Sequence, residues 1–85
     1  MNLIYNSDQY SVVEFGVDEE LDALRFGGYE ILDKPAQREI FIAGTMAESF
    51  RQNVRELIAT EPSEEEIDDF LGSYDLMMSQ PMTFH

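Results

Sequence analysis

The sequence predicts an α+β fold: two β-hairpins making a small antiparallel sheet, with two C-terminal amphipathic helices packed on one face. Three observations carry this expectation. Residues 3–42 hold four short runs rich in β-branched and aromatic residues, separated by polar turns. Residues 45–78 hold apolar residues at intervals of three and four. Each of these two later runs opens on the Ser/Thr-x-x-Glu pattern that starts helices.

LIYN (3–6) and YSVVEF (10–15) read as the first hairpin, with a loop at Asn6–Gln9. That loop sets Tyr5 opposite Tyr10 and Leu3 opposite Val12 on one face. Ile4 and Val13 then take the other face, followed by Phe15 on Val13's side. In the next stretch, GVDEELDALRFGG (16–28), Asp18 is placed to cap a short helix over residues 18–25. Val17, Leu21 and Leu24 would share its face. Acids lie in its first turn, Arg25 in its last, and Gly27-Gly28 beyond.

YEILDKPAQREIFI (29–42) is the clearest hairpin. Pro35 suits the second position of a turn. A loop over Lys34–Gln37 pairs Asp33 with Arg38, Ile31 with Ile40, and Tyr29 with Ile42. The opposite face carries Glu30, Leu32, Glu39 and Phe41. A sheet covered on one side only would leave Leu32 and Phe41 wet.

Thr45-Met-Ala-Glu48 reads as a capping box behind Gly44. Met46, Ala47, Phe50, Val54, Leu57 and Ile58 follow as one stripe, and Pro62 stops the helix. Ser63-Glu-Glu-Glu66 is a second capping box. Ile67, Phe70, Leu71, Tyr74, Met77 and Met78 repeat behind it. Gly72 costs about 1 kcal/mol relative to Ala in a helix interior, so it marks close packing or an early end. The tail, residues 79–85, is expected to be loose. The expected core is Val13, Phe15, Ile31, Ile40, Ile42, Phe50, Val54, Leu57, Ile58, Ile67, Phe70 and Leu71.

Eighty-five residues make one domain with a thin core, and shared burial in a homo-oligomer would help it. A composition 44% apolar with ten aromatic residues argues for a globular chain. The absence of cysteine excludes disulfides and thiol chemistry. The N-terminus, MNLIYNSDQY, has neither the basic nor the apolar region of a signal peptide, so a cytoplasmic protein is expected. The formal net charge is −13, spread along the whole chain. It repels nucleic acid and anionic membranes, and a partner that reads charge would be basic.

TEPSEEEIDDFLGSYDLM (60–77) holds seven acids and no base. The leading reading is one wet helix face. Glu64, Glu65 and Glu66 occupy a first turn that favours negative charge, and Asp68 and Asp69 are placed opposite Ile67, Phe70 and Leu71. A metal site is disfavoured: no EF-hand spacing and no nearby His accompany the acids. A third reading is an acidic surface of Glu64, Glu65, Asp68 and Asp69 that imitates nucleic acid and occupies a basic groove.

No catalytic residue, cofactor site or metal site is assigned. Lys34 sits in a turn, His85 is the last residue, and Gly27-Gly28 is a plain turn pair. No G-x-S-x-G, Walker A or G-x-G-x-x-G pattern occurs. An enzyme would need a pocket where carboxylates converge and one has a raised pKa. The strand–helix–helix order from residue 38 looks like ribbon–helix–helix DNA binders, but of the exposed strand positions Gln37, Glu39 and Phe41, Glu39 would face the phosphates, and the charge is wrong.

Three segments, LIYNSDQYSVVEF (3–15), GGYEILDKPAQREIFIAGTMAESF (27–50) and PSEEEIDDFLGSY (62–74), together resemble a family of small acidic bacterial proteins. That family is known only as a domain of unknown function and is best represented among β-proteobacteria. The resemblance spans nearly the whole chain, and the middle segment is its most specific part. It implies a compact cytoplasmic domain that stands alone, and it supplies no activity, cofactor or functional residue.

The expected function is therefore a small acidic protein-interaction module that self-associates as a dimer. Its candidate interface is the second sheet face, assigned to Tyr10, Val12, Leu32 and Phe41. The first alternative is an acidic mimic that binds a basic protein, and the second, disfavoured, is an enzyme or small-ligand binder.

Overall fold

A computed structural model describes residues 1–20, 24–25 and 27–79. Four strands, β1 (Asn2–Asn6), β2 (Tyr10–Phe15), β3 (Gly28–Asp33) and β4 (Arg38–Ala43), form one antiparallel sheet in chain order. Helices α1 (Gly44–Ile58) and α2 (Glu64–Gly72) follow, then a short 3-10 turn at Asp75–Met77. This is the α+β arrangement the sequence predicts.

The β3–β4 hairpin has the expected register, Asp33 opposite Arg38, Ile31 opposite Ile40, and Tyr29 opposite Ile42. Asp33 Oδ1 accepts the Ala36 N–H at 3.2 Å and fastens the turn. The first hairpin differs from expectation. The Ser7 hydroxyl accepts the N–H groups of Gln9 and Tyr10, and Ser7 N–H donates to the Tyr10 carbonyl at 2.8 Å. The chain thus turns over residues 7–10. Tyr5 faces Val12 and Leu3 faces Val13, with a bulge between Leu3 and Tyr5 at Ile4.

The pairing of β2 with β3 decides which residues form the core. Tyr10 lies opposite Asp33, Val12 opposite Ile31, and Glu14 opposite Tyr29. Tyr10 and Val12 therefore share Ile31's face and are buried under the helices. Val13 and Phe15, expected in the core, lie half-buried on the other side. A strand alternates its side chains, so the wrong parity between hairpins exchanges whole faces.

Phe50 of α1 sits at the centre of the core, 1% exposed. Its ring centroid is 4.8 Å from that of Tyr29, 5.9 Å from Phe70 and 5.5 Å from Tyr74. Such contacts join sheet, α1, α2 and the segment after α2, and removing a buried Phe side chain costs about 3–5 kcal/mol. Ile31, Ile42, Ala47 and Leu71 are buried around it, with Ile40, Val54, Ile67 and Phe70 packed against the cluster. Ile58, expected inside, is 53% exposed at the end of α1.

Only one of the two expected capping boxes forms. Ser63 Oγ accepts the Glu66 N–H at 3.1 Å, and Glu66 Oε1 accepts the Ser63 N–H at 3.3 Å. At α1 the cap position is Ala43, with no side-chain cap. Gly44 takes a positive φ of 61° straight off β4, so the helix starts before Thr45 and leaves it inside the first turn.

α2 ends at Gly72, and the apolar residues after it still pack inward. Met78 is 8% exposed. Ser79, expected in the loose tail, pairs with β4: the Glu39 N–H donates to the Ser79 carbonyl at 2.9 Å, and the Ser79 N–H donates back at 3.1 Å. Residues 80–85, His85 included, lie outside the described residues. So do residues 21–23 of the expected helix 18–25. Of that stretch, Asp18 Oδ1 accepts the Glu20 N–H, and the Asp18 N–H donates to the Leu24 carbonyl. No helix among the described residues is long and apolar enough to cross a membrane.

Candidate functional site

The sheet face away from the helices carries Leu3, Val13, Phe15, Leu32 and Phe41, with Glu30 and Glu39 among them. Leu3 is 60% and Phe41 46% exposed. The rings of Phe15 and Phe41 meet edge to face, centroids 5.6 Å apart. Gly28 lies beneath that contact. A Cβ there would fall 2.8 Å from Phe41 Cζ, so the glycine lets the ring lie down on β3.

Glu30 stands opposite both Val13 and Phe41, and Glu39 opposite Leu32. Burial among these apolar neighbours pushes the Glu30 carboxyl above its usual range, and the Glu39 charge pushes it further. Among the described residues, no Lys or Arg occupies a strand position on this side. Of the four expected interface residues, Leu32 and Phe41 are on this face. Tyr10 and Val12 are not: each is 2% exposed in the core and cannot meet a partner.

The expected acidic surface divides similarly. Glu64, Glu65 and Asp69 are exposed. Asp68 is half-buried and turned toward the first hairpin. Its Oδ1 accepts the Tyr5 hydroxyl at 2.8 Å and the Ser7 hydroxyl at 2.9 Å. Burial, then the bond to Asp68, push the Tyr5 phenol up to about 12. Asp68 is a fastening between β1 and α2 and does not belong to the wet face. No group of acids, His or Cys suited to a metal ion occurs among the described residues.

One carboxyl pair was not anticipated from the sequence. Asp33, 3% exposed, lies beside Asp75. The Tyr10 hydroxyl donates to Asp75 Oδ1 at 3.1 Å and Oδ2 at 3.2 Å. Burial, then the neighbouring Asp33 carboxyl, hold the Asp75 carboxyl above its usual range, while Tyr10 and Arg38 act against the rise. The arrangement fastens residues 75–79 to the sheet, and neither hollow described next reaches it.

The first hollow, about 90 Å³, opens between β1, α1 and α2 and is lined by apolar side chains with Tyr5 at its edge. The second, about 270 Å³, is lined by Ile4, Glu14, Tyr29, Phe50, Arg51, Val54 and Arg55. There Arg51 Nε donates to the Tyr29 hydroxyl at 2.9 Å, and that hydroxyl donates to Glu14 Oε2 at 3.2 Å. The Arg51 guanidinium also lies 5.6 Å from the Tyr29 ring centroid. The spacing of Arg51 and Arg55 on α1 is the one sequence signal that could have marked this hollow.

Comparison with known proteins gives a family and no activity. The model of a family described as "Protein of unknown function (DUF3567)" matches residues 1–85. "Protein BTH_I0359" of Burkholderia thailandensis, a β-proteobacterium, is 53% identical over 85 residues, covering 100% of both chains. No solved structure matches.

Proposed function

The chain belongs to this family of proteins of unknown function, and we propose that it is a small acidic protein-interaction module whose open sheet face receives a partner. One observation carries the reading: Leu3, Val13, Phe15, Leu32 and Phe41 form an apolar face with Glu30 and Glu39 set into it. Contiguous apolar surface favours contact. Glu30 is already held in an environment that disfavours its charge, beside a second carboxylate. A cation from the partner would relieve both. The partner therefore carries apolar and basic side chains together.

Self-association on the same face is the second reading, favoured by the exposure of Leu3 and Phe41. A second copy would bring Glu30 and Glu39 against their own counterparts, so this association should tighten as pH falls and Glu30 takes a proton. The mimic reading would use the exposed Glu64, Glu65 and Asp69 instead.

Affinity capture with the wild-type chain, Phe41→Asp, and Glu64→Lys/Glu65→Lys separates these. The open-face reading expects a partner kept at high salt and lost with Phe41→Asp. A basic partner that survives Phe41→Asp, and goes with the charge reversals or with salt, would replace it with the mimic reading.

A further inference from the structure

We infer that two copies of this chain associate through β1, packing the exposed side chains of Leu3, Ile4 and Ile58 against their counterparts in a two-fold dimer. The contact lies along the first edge of the sheet. It leaves the open face beyond Leu3 to the partner proposed above and does not rest on that reading.

β1 is an outer strand, and four of its five residues are exposed. Outer strands are ordinarily guarded by charge or by a covering segment. The opposite edge has both: β4 carries Arg38 and Glu39, and Ser79 pairs with Glu39. Among the described residues, β1 is the one strand or helix without a charged side chain. Apolar side chains stand on both sides of it. Leu3, 60% exposed, lies on the open face. Ile4, 46% exposed, and Ile58, 53% exposed, line the smaller hollow on the helix side. A contact here takes these three side chains and the mouth of an apolar hollow out of water together. The bulge at Ile4 divides the strand into short runs, so side chains and not a long ladder hold the contact.

Charge points to a second copy as the occupant. At a net charge of −13 two copies repel wherever acids meet, and β1 brings none to the contact. At physiological salt charges are screened over about 8 Å, so the groups flanking the strand matter most. They differ at its two ends. Toward Asn2, which pairs with Glu14, the exposed Arg55 shares the larger hollow with Ile4 and Glu14. Glu14 there accepts the Tyr29 hydroxyl at 3.2 Å. Toward Tyr5 stands the acidic start of α2, and the Tyr5 hydroxyl donates to the Glu64 carbonyl at 3.3 Å. Lys34, at this same end, already donates to Asn6 Oδ1 and the Ser7 carbonyl. A two-fold axis at Ile4 runs β1 antiparallel to its copy. It sets the Arg55 end of each chain against the Glu64 end of the other, and each such contact occurs twice. An unrelated partner would need this pattern reversed, whereas a second copy carries the reversal by symmetry.

The test is sedimentation velocity of the full chain from micromolar to millimolar concentration, with circular dichroism to check that each variant folds. A contact of this size should give a weak, concentration-dependent dimer. Ile58→Asp sets an unpaired charge into the contact twice and should raise the dissociation constant at least about tenfold. Phe41→Asp, across the open face, should leave it unchanged. Arg55→Glu and Glu64→Arg, each alone, should weaken the dimer about tenfold. An equimolar mixture of those two variants should restore it, because both contacts of the mixed dimer then join unlike charges. A chain that stays monomeric at millimolar concentration would overturn the inference. So would a dimer lost with Phe41→Asp and kept with Ile58→Asp, which would put self-association on the open face. A mixture no tighter than either charge variant alone would overturn it as well.

Discussion

The Tyr5 hydroxyl donates to Asp68 Oδ1 at 2.8 Å and thereby joins residues 63 positions apart. The same oxygen takes the Ser7 hydroxyl, whose own oxygen closes the β1–β2 turn. One carboxylate thus organises the hairpin end and seats α2 on it. Asp68→Ala should cost about 1–3 kcal/mol, because it strands two hydroxyl donors at a half-buried site. Asp69→Ala, one residue on and exposed, should lie within about 0.5 kcal/mol of wild type. Urea unfolding of the two variants checks the contrast, and equal losses would remove Asp68's special role.

The two Ser/Thr-x-x-Glu patterns should behave differently on mutation. Ser63→Ala removes a formed cap and should cost about 1 kcal/mol. Thr45→Ala removes no cap and should be near neutral. Thermal midpoints of the two variants read this directly.

The raised carboxyls make stability depend on pH in a stated direction. The folded chain holds the protons of Asp75 and Glu30 more tightly than the unfolded chain does. Stability contributed by these groups is therefore fully present below their ordinary pKa values, 3.8 and 4.5, and falls as pH rises through the raised values. Asp75→Asn retains an acceptor for Tyr10 and adds a donor toward Asp33. It should gain on wild type as pH rises from the ordinary carboxylate range to neutrality. Urea midpoints at two pH values test it, and a variant that loses ground as pH rises would refute the sign.

Gly28 holds Phe41 down on β3, so Gly28→Ala should lift that ring away from Phe15. The new methyl also meets the Ile42 carbonyl at 3.1 Å, which a ring movement cannot relieve. A loss of about 1 kcal/mol or more is expected, with ring-proton shifts at Phe15 and Phe41. An unchanged Phe15–Phe41 contact by nuclear magnetic resonance would contradict it.

Local features of this fold were readable from the sequence, and long-range ones were not. The β3–β4 register follows from a four-residue turn and a two-residue period, and the structure has it. The Ser63 cap is likewise local. The facing of β2 on β3 is set across residues 16–27, a connection too long for turn geometry to fix parity from sequence. Tyr10 and Val12 were therefore assigned to the wrong face. Asp68 precedes Leu71 by three residues and borders the apolar stripe, and only the arrival of Tyr5 and Ser7 makes it a buried acceptor. The Asp33–Asp75 pair depends on the path after Gly72, which helical periodicity alone would have extended as helix.

The most direct measurement of the interaction reading is shift mapping of the isotope-labelled protein on titration with a synthetic amphipathic peptide of leucine and lysine. The account predicts that the largest shifts fall on Val13, Glu30, Leu32 and Phe41, persist at high salt, and vanish in Phe41→Asp. Shifts confined to Glu64, Glu65 and Asp69 that disappear with added salt would contradict it, and would leave the open face without a part in binding.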